Sequence, residues 1–554
     1  MRTKISKLLL AVGCTASLML PTSCIEETFP TDRATADQIS KSPKASEALL
    51  WAMPAFFNNH ATIGSDRHWD WGYGSIMHIR DVMTQDMSID DPVGYDHYNS
   101  WASNLYQGEN YIYGQFIWNY YWKFVQTSNN MISVIDTEIA TDDQLGYLGA
   151  GYAFRALAYL DMAQMFEFLP NDAVSGVNAA GNAVDSLTVP IVTEDMDESA
   201  ARNNPRVKRA VMAEFILDAL QNAEKYIVYL QPATKTLPHL DAVYGLYARY
   251  YMWLGDYENA KTYARLAIDN ASVQPMSEED CLSLTDGFNT IDAWMWGSQT
   301  VAEDAVVKTG IVNWTSWMCP ETLFGYAGAG AMPTIDASLY HKISDTDFRK
   351  KMFKAPAGSA LDGKTAYVYP AAAAGFPTYT SVKFRANDGD IEDHTTGAAS
   401  AYPIMRVEEM YLIEAEAVGM SEGVAAGVAL LNKFMQDHRD ATFNFTTTDA
   451  RTLQLQVLLQ MRIEFWGEGT SVFPTAKRLK PGVMQNYEGT NAPADIFKIN
   501  CAGIKPNWNL VIPYTEVENN VALEGKNNPN PTKAVTGPST LGEYAPGNNA
   551  SAAE

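Results

Sequence analysis

Residues 241–271, DAVYGLYARYYMWLGDYENAKTYARLAIDNA, constrain the fold more than any other stretch of the chain. Tyr244, Tyr247, Ala248 and Tyr251 recur every three or four residues and therefore share one face of a helix. Gly255 supplies a stop that tolerates positive φ, and Asp256 can accept the free N–H groups that open a following helix. On that second helix Tyr257, Ala260, Ala264, Ala267 and Ile268 again share a face. Small residues alternate with rings, so the two helices can approach closely while the rings fill the gap. Such a pair cannot bury its apolar face alone and must stack on further helices.

The large/small pattern around the Gly-Asp-Tyr turn resembles one tetratricopeptide (TPR) repeat. Helical periodicity is also read at 45–57, 75–87, 116–135, 144–168 and 206–230, and it resumes from Tyr402, with helices at 407–417, 424–438 and 453–466. Two stretches break it. Residues 58–113 are rich in Gly, Asp, Asn, Tyr and Trp, and residues 275–400 are dense in Gly, Ala, Trp, Thr and Pro. The expected architecture is mainly α: a TPR-like scaffold over 41–274 carrying an aromatic loop, an irregular lobe at 275–400, a returning scaffold at 401–520, and a peripheral tail at 521–554. LVIPYTEV (510–517) reads as a short extended piece.

The N-terminus carries Arg2, Lys4 and Lys7 before an apolar run from Leu8 to Leu20, too short to span a bilayer. Pro21-Thr22-Ser23-Cys24 follows, which resembles a bacterial lipoprotein signal: residues 1–23 would be removed, Cys24 lipidated, and 24–40 left as an acidic tether. The net charge of −25 disfavours nucleic acid, whose phosphates need clustered Lys and Arg. Beyond the signal only Cys281, Cys319 and Cys501 remain, without metal or disulfide-framework spacing, and they read as buried thiols with at most one bridge.

Four segments in chain order resemble the SusD/RagB-type outer-membrane lipoproteins: AFRALAYLDMAQMFEFLP (153–170), YPIMRVEEMYLIEAEA (402–417), RIEFWGEGTSVFPTAKRLK (462–480) and LVIPYTEVENN (510–520). Phe473-Pro474-Thr475 departs from that family's usual aromatic and Asp before Lys-Arg. The resemblance implies a SusD-like fold and a lipid-anchored protein at the cell surface, partnered with a SusC-like TonB-dependent transporter. Its role there would be to capture an oligosaccharide or, as in RagB-like members, a peptide, without catalysis.

Sugar capture needs flat rings for the C–H faces of the sugar and polar groups for its hydroxyls. Residues of both kinds cluster in the two irregular stretches: Trp69, Trp71, Tyr73, Tyr95, Trp101, Asn104 and Tyr106 in the first, then Trp294, Trp296, Trp314 and Trp317 in the lobe. These are the candidate ligand-binding residues. Trp118, Trp122, Trp253 and Trp466 sit on helical faces and are assigned to core. NDGDIED (387–393) hints at a calcium loop but lacks the bidentate Glu at its twelfth position, so a solvated acidic turn is the better reading. His60, His68, His78 and His97 have no metal-ligand spacing. Arg406 and Glu409 read as an i,i+3 ion pair and Glu414 and Glu416 as pointing to different sides, which argues against a catalytic carboxylate pair and a surface-anchored hydrolase. No cofactor motif stands out.

Overall fold

The computed structural model describes residues 42–534, apart from 65–66, 91–96, 172–173, 232 and 286. Cys24, the signal, the tether and Tyr95 lie outside the described residues.

The expected helices form, with ends shifted by a few residues. They are α1 (Pro43–Phe56), α2 (Tyr73–Met83), α3 (Ile112–Ser133), α4 (Asp142–Phe166), α5 (Arg209–Ile227), α6 (Leu240–Leu254), α7 (Tyr257–Asn270), α8 (Val407–Ser421), α9 (Val424–His438) and α10 (Ala450–Glu464); α11 (Val472–Leu479) forms besides, where the sequence reads as a turn out of the scaffold. Local chemistry sets several ends. Thr141 and Gln144 make a reciprocal capping box at the start of α4. Gly255 closes α6 in the left-handed region at φ 76°, and the Asp256 carboxylate accepts the Asn259 N–H at 3.2 Å to open α7.

From α3 onward each helix packs on its neighbour in the chain, α3 on α4, α4 on α5, α5 on α6 and α6 on α7, while α1 lies against α3 and α4. The succession continues across the lobe, because α7 packs directly on α8, and α8 on α9 and α10. The lobe is therefore an excursion from a continuous helical stack. Its two ends are tied together at the base, where β2 (Trp296–Gln299) pairs antiparallel with β4 (Ala401–Met405). A second ribbon joins the two irregular stretches, with β1 (Met87–Asp90) antiparallel to β3 (Met332–Ile335).

In the opening helix pair, Tyr247 and Tyr263 stack at 4.2 Å between centroids, and the Tyr247 hydroxyl donates to Glu224 of α5 at 3.0 Å. The tyrosines serve packing between helices. One close approach in the stack is between α8 and α9, where a Cβ on Gly427 would lie 2.6 Å from the Gly419 Cα. Only glycine fits there.

Two expectations need correction. LVIPYTEV is not extended throughout: Tyr514–Asn519 is helical, started by Pro513, whose fixed φ suits a helix entry. Residues 521–534 are not peripheral. Leu523 is buried, and the buried Asn528 donates to the carbonyls of Phe166 and Leu510 at 2.8 and 2.7 Å. Its amide thus ties the carbonyl at the end of α4, which Arg206 Nη2 also reaches at 2.9 Å, to the 510–517 segment.

Candidate functional site

Both irregular stretches fold against the same part of the helical stack, and the predicted ligand-binding rings meet there. They meet as core, however. Trp69, Trp71, Tyr73, Trp101, Asn104, Trp294, Trp296, Trp314 and Trp317 are all at most 4% exposed. Trp317 stacks on Tyr326 at 4.2 Å and meets the edge of Tyr98 at 4.9 Å. The Trp71 indole N–H donates to the Tyr98 hydroxyl at 2.7 Å, and Trp71 packs edge-on against Trp314, which stacks on Tyr402 at 5.0 Å. Tyr73 donates to Asp161 at 2.6 Å and Trp296 to the Thr236 carbonyl at 3.2 Å. These rings weld loop to lobe and lobe to stack. A ring flanked on both faces by other rings has no face left for a sugar, and the reading of these residues as ligand contacts is corrected accordingly.

Tyr106 is different. It is 49% exposed and forms an edge-to-face pair with Tyr111, itself 38% exposed, at 5.3 Å between centroids. Asn104 and Tyr106 both hold positive φ, 60° and 56°, a costly conformation for residues with side chains. The C-terminal segment clamps this turn: Thr532 Oγ1 accepts the Gln107 N–H at 2.9 Å, and Asn104 donates to the Pro531 carbonyl at 3.4 Å. Beside it lie the exposed Asn110 and Tyr514, whose N–H bonds to the Glu109 carbonyl at 2.9 Å. The turn thus presents two fixed rings next to amide and carboxylate groups. Sequence reasoning placed Tyr111 in the aromatic loop 58–113 but did not single it out, because nothing in that loop's spacing separates an exposed ring from the buried ones. Its place just before α3 is what leaves the ring outside.

A second partly exposed cluster caps the aromatic core. His68 Nδ1 and the Tyr326 hydroxyl are hydrogen-bonded, and the His68 and His97 rings lie 5.2 Å apart, with His97 edge-on to Trp317 at 5.6 Å. Below it, His78 is fully buried, and burial lowers its pKa to about 3, so it is a neutral packing residue.

The carboxylates of α8 are fully engaged, but not as expected. Arg406 does not pair with Glu409. It reaches Glu408 at 2.7 Å, Glu464 at 2.7 Å and Glu468 at 3.0 Å. Glu409 instead takes Arg249 of α6 at 2.6 Å. A buried helix side chain follows its tertiary partners rather than its own helix, and Arg249 stands across the α6/α8 contact. Glu414 and Glu416 do point apart, to Arg265 and Arg478. Around Arg406 the network grows to Arg439, Arg349 and Lys383 among the cations, and Glu408, Glu464, Glu468 and Asp347 among the carboxylates. Four charges of each sign balance, which is what permits such burial. Burial alone would raise the Glu464 carboxyl, but Arg439, Arg406 and Arg349 hold it well below the usual carboxylate range.

In the 387–393 turn, Asp390 Oδ1 accepts the N–H groups of Glu392 and Asp393 at 3.0 and 2.9 Å, and Asp393 caps the short helix His394–Gly397. Its acids order a turn. Cys281, Cys319 and Cys501 are buried, and burial pushes the Cys281 and Cys319 thiols up to about 12. No helix among the described residues is long and apolar enough to cross a membrane.

No family model and no curated protein matches the sequence. The fold is nevertheless similar to that of several solved structures. A SusD-like carbohydrate-binding protein from Bacteroides vulgatus is 20% identical, with a TM-score of 0.67 over 88% of this chain and 98% of its own. A SusD superfamily protein from Bacteroides thetaiotaomicron is 18% identical at a TM-score of 0.63, covering 88% and 99%. Surface glycan-binding protein A from Bacteroides thetaiotaomicron, in complex with laminarihexaose, is 15% identical at 0.60, again covering 88% and 99%. The chain has the SusD-like fold.

Proposed function

We propose that this chain, with its SusD-like fold, is a cell-surface glycan-binding lipoprotein, anchored through Cys24, that captures oligosaccharides and delivers them to a SusC-like TonB-dependent outer-membrane transporter. The observation that carries the reading is the exposed Tyr106–Tyr111 pair, held in a strained turn on a fold shared with carbohydrate-binding proteins. Two rings set edge to face offer a platform for the apolar faces of successive sugars, and Asn110 and Glu109 stand beside it for hydroxyls. The role is binding rather than catalysis, since the α8 carboxylates that could have formed a hydrolytic pair are each held by arginine.

Calorimetry against an oligosaccharide panel that includes laminarihexaose, alongside a peptide pool, tests the reading. A sugar is expected to bind, and Tyr106→Ala or Tyr111→Ala to weaken it about 3- to 10-fold, the scale of one aromatic contact, with thermal stability nearly unchanged. Peptide binding with no sugar response would overturn it, as would sugar cleavage on long incubation. For the anchor, Cys24→Ala is expected to move the protein from the outer-membrane fraction to the soluble one; continued co-sedimentation with membranes would count against lipidation there.

A further inference from the structure

The C-terminal end of α4 lies in a patch of positive charge that is out of keeping with a chain of net charge −25. Arg206, Arg209, Lys477 and Lys480 converge around a single carboxylate, Glu167, and that carboxylate is saturated. It accepts Arg209 Nε and Nη2 at 2.6 and 2.8 Å and the Trp253 indole N–H at 3.1 Å. The other three cations have no carboxylate among the described residues. Lys477 Nζ donates to the carbonyls of Gln164, Met165 and Glu167 at 2.8, 3.2 and 2.8 Å. Lys480 Nζ donates to the Pro170 carbonyl at 2.8 Å. Arg206 meets only carbonyls and the Asn528 amide oxygen.

Helix capping explains part of this. The end of a helix carries roughly half a negative charge, and Lys477 bonds to the terminal carbonyls of α4 as a cap would. Arg206 and Lys480 remain in surplus. The strain shows in the acid–base behaviour: burial, and then Arg209, Arg206 and Lys480 against Glu167, bring Lys477 down to about 7. Burial followed by Arg209 also lowers Lys480. An anion placed here would relieve like-charge repulsion that the protein leaves uncompensated.

There is room for one. A cleft of about 230 Å³ is lined by Arg209, Trp253, Lys477, Arg478 and Lys480, with Glu167, already bonded to Arg209 and Trp253, as the one carboxylate in its wall. Arg478 is neutralised by Glu416 at 2.8 Å, but the Arg209 side chain is 33% exposed, and its Nη1 has no protein acceptor among the described residues. Arg209 also lies over the Trp253 ring at 5.4 Å, which fixes the guanidinium plane. We infer that the cleft between the end of α4, α6 and α11 binds a small oxyanion, a phosphate, sulfate or carboxylate group, free or carried on a sugar, through Arg209 and Lys480. This site is made by the helical stack and does not depend on the exposed tyrosine turn.

The test is calorimetry on the full chain with sodium phosphate, sodium sulfate, glucuronate and, as the neutral control, glucose, at constant ionic strength. Binding of at least one anion but not glucose is expected, roughly 10-fold weaker in Lys480→Asn and retained in Lys480→Arg. Lys480 holds φ 48°, a conformation that asparagine tolerates, so Lys480→Asn is a change of charge on an intact fold. Glucuronate binding tighter than phosphate supports an acidic sugar, and the reverse a free oxyanion. No anion binding, equal binding of glucose, or unchanged affinity in Lys480→Asn would each overturn the site.

Discussion

Glu464→Gln is expected to destabilise the fold by about 3–5 kcal/mol, measured by urea unfolding near neutral pH. The substitution keeps the side chain's shape and removes one charge. Glu464 is the carboxylate shared by Arg406, Arg439 and Arg349, at 2.7, 2.7 and 2.9 Å, and all four side chains are almost wholly buried. Loss of the carboxylate charge leaves the network with four cations and three carboxylates in a place that water does not reach. A loss under about 1 kcal/mol would mean the arginines find other compensation. The pH dependence follows from the same geometry. The folded-state pKa of Glu464 lies well below the ordinary value of 4.5, so its stabilising effect is fully present above that value. It is lost as pH falls through the lower folded value. Wild-type protein should therefore lose stability on acidification more steeply than Glu464→Gln, which has already lost this contribution.

Trp101→Ala and Trp294→Ala should each cost about 3–5 kcal/mol, the range for truncating a large buried ring. Both rings are wholly buried. Trp101 packs against Trp69 at 5.5 Å, Tyr98 at 5.7 Å and Tyr113 at 4.9 Å; Trp294 meets Phe288 at 5.8 Å. A reading of these residues as ligand contacts predicts weakened binding with unchanged melting. Unfolding midpoints separate the two outcomes directly, and a nearly unchanged midpoint for either variant would put that ring back at the surface.

The contrast between scaffold and loops shows where sequence reasoning reaches and where it stops. On α6 and α7 the repeat of Tyr244, Tyr247 and Tyr251 against Ala260, Ala264 and Ala267 shows which faces meet, because regular backbone converts spacing into direction. In residues 58–113 and 275–400 no such conversion exists. Trp314 is buried because Tyr402 stacks on it, and Trp317 because Tyr326 does; nothing near either tryptophan announces its partner. Tyr106 stays exposed for an equally non-local reason, the clamp by Pro531 and Thr532. The charged centre was half legible. Arg406, Glu408, Glu464 and Glu468 stood out within two motifs, but the pairing Arg406–Glu409 followed helical spacing, whereas the real partners are Glu408, two residues along the chain, and Glu464 and Glu468 at the far end of α10 and the turn beyond it.

The direct packing of α7 on α8 also has a consequence for how the chain is made. The apolar edge of α7, with Ala264 and Ala267, and the partners Lys261 and Arg265 find Glu422 and Glu414 only after the whole excursion from 275 to 400 has been synthesised. Until then the first half of the stack ends in an unsatisfied surface. Closing it must bring together segments far apart in sequence, at an entropic cost that grows slowly with the length of the intervening chain. A chain made from its N-terminus would therefore pass through an interval in which its first helices are folded but still sticky. In that interval a holding chaperone would guard it best.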